Sequence, residues 1–234
     1  MYEPIPELFA TKGIEYLLVI GFLLSLLIFW FGLNRRGGDG AVHRPEAETP
    51  GSWFRLAPDV LYHRGHTWAR PGEDGLVTVG MDDLAGQMLV PGSVPEFPGK
   101  GSLLRQGDPG WTLRSPNRVV SVLSPVGGEI AAVNERVIQN PDLLRTSPYG
   151  DGWLLKVRNG ETRREFSNLF GDELARSWMR DSEERLRHWL SPEPGAFAAD
   201  GGSPIPGFLD HLDPETGERI VEELLGSSSI PQSR

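Results

Sequence analysis

Residues 16–33 read YLLVIGFLLSLLIFWFGL, a run without a single charge. No other segment so restricts what this chain can fold into. As a helix rising ~1.5 Å per residue it would be about 27 Å long, close to the ~30 Å hydrocarbon core of a bilayer. Tyr16 lies at one end and Trp30 with Phe31 near the other, where aromatic rings favour the membrane interface. A cleaved signal peptide would need a basic leader and a small-residue cleavage site. Residues 1–15 instead carry Glu3, Glu7 and Glu15 against Lys12, and no such site follows Leu33. The expectation is a retained single-pass membrane anchor touching lipid through residues 16–33. Arg35, Arg36 and Arg44 follow the run, so the positive-inside rule places residues 1–15 outside and the main domain in the cytoplasm. In a bacterium the membrane would be the inner one.

Composition narrows what the remainder can do. The net charge of −9 argues against nucleic acid as a partner. With no Cys among 234 residues, disulfides, thiolate metal sites and Cys nucleophiles are excluded. Residues 34–56 form a polar tether without apolar periodicity. A domain is expected over 57–190, with a barrel at about 60–160 and an amphipathic helix at about 166–190. Gly75 to Met81 alternates as a half-buried strand does. Val119–Leu123, Glu129–Val133 and Trp153–Val157 are further strands, and Asp82 caps a short helix running to Leu89. In the long helix, Leu174, Trp178, Leu186, Trp189 and Leu190 form the apolar stripe. Asp181 with Arg185 and Glu183 with Arg187 form i,i+4 pairs on the other face. Residues 191–234 are rich in Gly, Ser and Pro and read as a largely disordered tail, with one short helix over 214–225.

Ser115-Pro116-Asn117-Arg118 has turn chemistry between two strands, with Pro and Asn in the central positions. Around it runs R-S-P-N-R-V-V-S-V-L-S-P-V-G-G-E, from Arg114 to Glu129. This resembles the lipoyl-attachment hairpin of the glycine cleavage system H proteins, E-S-V-K-A-V-S-D-L-Y-S-P-V-S-G-E. Other blocks follow that family's order. Tyr62 to Trp68 is similar to Y-x-x-x-H-x-W, and Val77 to Ala85 to V-T-V-G-I-T-D-Y-A. Leu103 to Asp108, Val133-Asn134-Glu135, Asn140-Pro141 and Pro148 to Leu154 match in turn. The resemblance implies a mainly β, lipoyl-like barrel-sandwich hybrid with the hairpin at an exposed tip.

Counting back from Ser124-Pro125 puts Asn117 at the family's lipoyl-lysine. A carboxamide nitrogen is delocalised into its carbonyl and is not the nucleophile that lipoylation requires. The arginines beside it remain protonated and cannot substitute. The chain's lysines are Lys12, Lys100 and Lys156, none at the tip, so lipoate is expected to be absent. Arg114, Ser115, Asn117 and Arg118 are the candidate partner contacts. His63 and His66 would point to opposite faces of a strand, and packing of His66 near Trp68 is expected rather than a metal site. No nucleophile elbow, phosphate loop or zinc-protease motif is present, so catalysis by the chain itself is not expected. The expected function is a non-lipoylated docking or assembly module in a membrane-associated complex, its partner a protein of that complex or a lipoate-handling enzyme. The alternatives are aminomethyl carriage in glycine decarboxylation, or unlipoylated competition for glycine decarboxylase.

Overall fold

The computed structural model describes residues 16–26, 29, 52–72, 75–160, 162–190, 202–226 and 229–231. The chain divides into two units, residues 1–43 and 44–234. In the first, residues 16–26 form a helix (α1) whose residues are all exposed. Among the described residues no helix is long and apolar enough to cross a membrane. The expected span of 16–33 is therefore described only in part, and Arg35, Arg36 and Arg44 lie outside the described residues.

The second unit is built from antiparallel strands. One sheet has the order β1-β2-β3-β9-β8-β5, from Leu61–His63, Thr67–Pro71, Leu76–Met81, Leu155–Arg158, Gly128–Val133 and Leu103–Leu104. The other has the order β10-β7-β6-β4, from Ser229–Pro231, Arg118–Leu123, Pro109–Arg114 and Val94–Glu96. This mainly β arrangement is consistent with a lipoyl-like barrel-sandwich. Val77, Val79 and Met81 in β3 and Leu113, Val120 and Val122 in the hairpin all bury their side chains in a shared core. Helix α2 (Asp83–Met88) starts at Asp82, which accepts from Ala85 N–H at 2.9 Å as its N-cap. Short helices α3 (Glu135–Gln139) and α4 (Leu143–Thr146) link β8 to β9.

Buried polar groups set much of the register. His66 takes φ 56° in the turn between β1 and β2, a left-handed conformation uncommon outside glycine. Its Nδ1 lies 2.7 Å from Asp82 Oδ2, with both side chains buried, and its ring stacks on Trp178 at 4.4 Å. His66 is thus packed within the core, but its ring partner is Trp178 and not the expected Trp68. Trp68 donates from Nε1 to Met81 O at 2.8 Å, and its indole lies across Gly80.

Three boundaries differ from the sequence expectations. Residues 52–56 do not belong to a free tether, for Phe54 and Leu56 are buried. Glu183 explains why: its Oε1 accepts from Trp53 N–H at 3.0 Å, from Phe54 N–H at 3.3 Å and from Ser52 Oγ. The guanidinium of Arg187, its expected i,i+4 partner, lies over Trp53 at 4.3 Å. Arg185 Nε reaches the backbone O of Asp181, not its carboxylate. The long helix is broken in two, α5 (Thr162–Phe166) and α6 (Asp172–Leu190), because Phe170 leaves the helix to bond Tyr62 in an isolated bridge. Its buried face comprises Ala175, Met179, Ser182, Glu183, Leu186 and Leu190, whereas Leu174 is exposed.

The third difference is the tail. Residues 202–226 are folded: a 3-10 turn over Phe208–His211 leads to α7 (Pro214–Leu225). Phe208, Leu209, Ile220, Val221, Leu224 and Leu225 are buried, and at about 1.5–3 kcal/mol gross for each large apolar side chain this anchors the segment. Pro and Gly in this stretch break helices without preventing packing. Residues 191–201 lie outside the described residues.

Two predictions follow from this packing. A Cβ at Gly80 would come within 2.5 Å of Trp68 Cζ2, so Gly80→Ala overpacks the core and destabilises by about 1–3 kcal/mol. A lower urea midpoint at unchanged slope is the expected readout. Burial, followed by the charges of Arg64 and His66, lowers the His63 pKa from 6.5 to about 4. Between those values the unfolded chain takes up a proton that the folded chain refuses. Stability present above pH 6.5 is therefore lost as pH falls toward about 4. His63 Nδ1 accepts from Gly65 N–H at 3.1 Å, and His63→Gln retains an acceptor there but cannot titrate. Denaturant midpoints across that window should fall less steeply in the variant than in wild type.

Candidate functional site at the hairpin tip

Strands β6 and β7 pair in register from Trp111↔Val122 to Arg114↔Val119. This leaves Ser115, Pro116 and Asn117 to turn the chain. Ser115 N–H donates to Arg118 O at 2.8 Å, and Ser115 Oγ donates to the same oxygen at 3.2 Å. Asn117 is not among the residues with positive φ, so the turn needs no left-handed residue, in keeping with its Pro-Asn chemistry.

The four candidate contacts are brought together, but they present different chemistry. Pro116 and Asn117 are exposed, whereas Ser115 is buried. Arg114 reaches across to β4, donating from Nε to Glu96 Oε1 at 2.7 Å and from Nη2 to Oε2 at 3.2 Å. Those donated hydrogen bonds, more than the charge alone, hold the Glu96 carboxyl below its usual range. Arg118 turns under α7. A Cβ at Gly217 would fall 2.5 Å from its Nη2, and its Nη1 is buried without a hydrogen-bond partner among the described residues. Gly in a helix interior costs about 1 kcal/mol relative to Ala; here it makes room for a guanidinium. The tip is accordingly not the open cationic patch that its two arginines suggest.

Asn117 Nδ2 donates to Asp210 Oδ2 at 2.9 Å. Sequence reasoning missed Asp210 because it lies 93 positions away in a stretch read as disordered. The one available signal was the helical pattern after it, which implied a neighbour for α7 to pack on. A small cleft beneath the tip is lined by Met88, Leu113, Ser115, Arg118, Leu209 and Asp210 among others.

Lysines are no nearer the tip than the sequence suggests. Lys100 is exposed in the turn before β5, which belongs to the other sheet. Lys156 lies in β9, with Nζ 5.3 Å from the Trp153 ring centroid. Lys12 is outside the described residues. Among the described residues no group of His, Cys, Asp and Glu could hold a metal ion.

Comparison with known proteins identifies the scaffold. The family model described as Glycine cleavage H-protein matches residues 60–182. A glycine cleavage system H protein of Rubrobacter xylanophilus is 40% identical over 106 residues, covering 45% of this chain and 83% of the relative. That of Teredinibacter turnerae is 37% identical over 129 residues, covering 55% and 96%. A crystal structure of the H protein from Mycobacterium marinum superposes with a TM-score of 0.46 at 25% identity, covering 55% of this chain and 99% of that one. With its family match spanning more than half of its length, the chain belongs to the glycine cleavage H-protein family.

Proposed function

We propose that this chain is an H-protein platform without its arm, occupying the H-protein site on glycine decarboxylase as an unlipoylated competitor. The observation that carries this reading is Asn117. It stands at the tip of the β6–β7 hairpin, inside the family-matched segment, with an amide where the resemblance puts the lipoyl-lysine. The family match supports a glycine cleavage role over the broader expectation of an assembly module in an unspecified membrane complex. An amide cannot accept a lipoyl group, so the carrier role needs another lysine. Neither described lysine is in the hairpin: Lys100 lies in the turn before β5 and Lys156 in β9 of the other sheet.

The same reading places the domain at a membrane surface. Residues 16–33 carry no charge, and α1 leaves Leu17, Leu18, Phe22 and Leu23 exposed, a helix surface suited to lipid. The arginines after Leu33 favour a cytoplasmic main domain. Tethering there would raise the effective concentration for partners at the membrane.

The test is an assay of glycine decarboxylase supplied with a lipoylated H protein. Added full-length chain should raise the apparent KM for the H protein without changing kcat, and no effect would overturn the docking reading. Intact-mass spectrometry of the natively isolated protein should find no lipoyl group. A lipoyl adduct on Lys100 or Lys156 would favour the carrier instead. Asn117→Lys, offered to a lipoate ligase, should gain the modification that wild type refuses.

A further inference from the structure

We infer that Asp210 is a second determinant of the tip's refusal of a lipoyl group, acting beside Asn117. Its carboxylate would hold an amine placed at position 117 as an ion pair and slow acylation there. This rests on the reading of Asn117 as the occupant of the lipoyl-lysine position. The native amide already makes the contact, Asn117 Nδ2 donating to Asp210 Oδ2 at 2.9 Å. A lysine carries its ammonium on a longer, flexible stem with three rotatable donors. Folded back over the turn, that stem reaches an oxygen that the shorter side chain already meets.

Core packing fixes Asp210 at the tip. It sits in the 3-10 turn Phe208–His211, with Phe208 and Leu209 before it and Leu212 after it all buried. Gly207 opens that turn at φ 75° and donates to Gln87 O at 2.8 Å. A Cβ there would fall 2.8 Å from Val90 Cγ1. On the other side Asp213, accepting from Thr216 N–H at 3.0 Å, leads directly into α7. The hairpin's own charges are engaged elsewhere: Arg114 donates to Glu96, and Arg118 is turned under α7 at Gly217. His211, beside Asp210, is exposed. Acylation needs the neutral amine, whose lone pair attacks an activated acyl carbonyl. The N–C bond forms, the leaving group departs with its electron pair, and the nitrogen gives up a proton. A neighbouring carboxylate favours the ammonium, so less of the amine is neutral at a given pH. Asp210 lies outside the family-matched residues 60–182, so this restraint comes from the C-terminal segment and not from the shared scaffold.

The experiment uses the full chain carrying Asn117→Lys, alone and combined with Asp210→Asn or Asp210→Ala. Each form is treated with the N-hydroxysuccinimide ester of acetic acid and, separately, with a lipoate ligase, ATP and lipoate. Peptide mass spectrometry follows modification at position 117, with the exposed Lys100 as internal reference. The single variant should gain the acyl group slowly. Both double variants should gain it about fivefold faster with either reagent, the effect of a strong exposed ion pair, while Lys100 reacts at an unchanged rate. The pH profile of the ester reaction at position 117 should also move to lower pH once Asp210 is replaced. Equal ester rates in the single and double variants would overturn the inference, whatever the ligase does. Acceleration by Asp210→Ala but not by Asp210→Asn would overturn it as well, since bulk and not charge would then be the obstacle. If the wild-type chain fails to inhibit glycine decarboxylase, the competitor reading falls, while these rates still decide the role of Asp210.

Discussion

Strand β7 has two backbone edges to satisfy, and much of the second unit is arranged around the outer one. The inner edge follows from the hairpin, since β6 and β7 are joined by a three-residue turn. The outer edge has no neighbour among residues 60–182, and the chain supplies one from its C-terminal end. Bringing β10 there requires α7 to run close to the hairpin. Gly217 accordingly sits on Arg118, and Gly226 sits on Leu123. A side chain at Gly217 would have to displace the Arg118 guanidinium, and one at Gly226 would be strained by its φ of 63°.

A second set of constraints comes from polar side chains that are buried with hydrogen-bond partners. Asp83 accepts from Arg55 N–H at 3.0 Å and lies 3.1 Å from Arg55 Nε. Glu183 receives the amides of Trp53 and Phe54, and Asp82 holds His66 under Trp178. Removing one member of such a contact leaves a buried hydrogen-bonding group unsatisfied, at a cost of about 1–3 kcal/mol. Apolar burial alone would hold the entry segment and α6 against the barrel without fixing their register. These polar contacts choose one arrangement. Tyr149 completes the set by donating its hydroxyl to Arg55 O at 2.7 Å. Burial, its largest influence, raises its pKa and keeps it a neutral phenol.

How far the fold was legible depended on the range of the interactions. Period-two alternation located β3 to within a residue, because a half-buried strand writes its register into its own sequence, and the apolar runs between turn residues located β7 and β8 as closely. The Asp82 cap and the helix at 214–225 were legible for the same reason, their signals being local. Glu183 was not. On a helical wheel it is one more acid facing Arg187, and only the distant Trp53 and Phe54 amides make it a buried acceptor. Leu174 was assigned to the apolar stripe, but the chain enters α6 through Asp172 at φ 41° and leaves Leu174 exposed. At the tip, the turn at Asn117 was legible as a position. Its contact with Asp210, like the turning of Arg118 beneath α7, depends on tertiary packing that no spacing encodes.

The asparagine and the extension are best understood together. A lysine at an exposed tip carries its amine on a flexible four-carbon stem, suited to holding a group that must travel. An asparagine amide stays close to the backbone and offers two donors in a fixed plane, suited to joining two pieces of protein. In this chain the amide does join them, through the carboxylate of Asp210, a residue outside the family-matched segment. A tip loaded with an arm would have to leave that contact to reach a partner. A clasped tip gives up that reach and retains a fixed surface at the same place on the scaffold. Docking tolerates the exchange, whereas carriage does not.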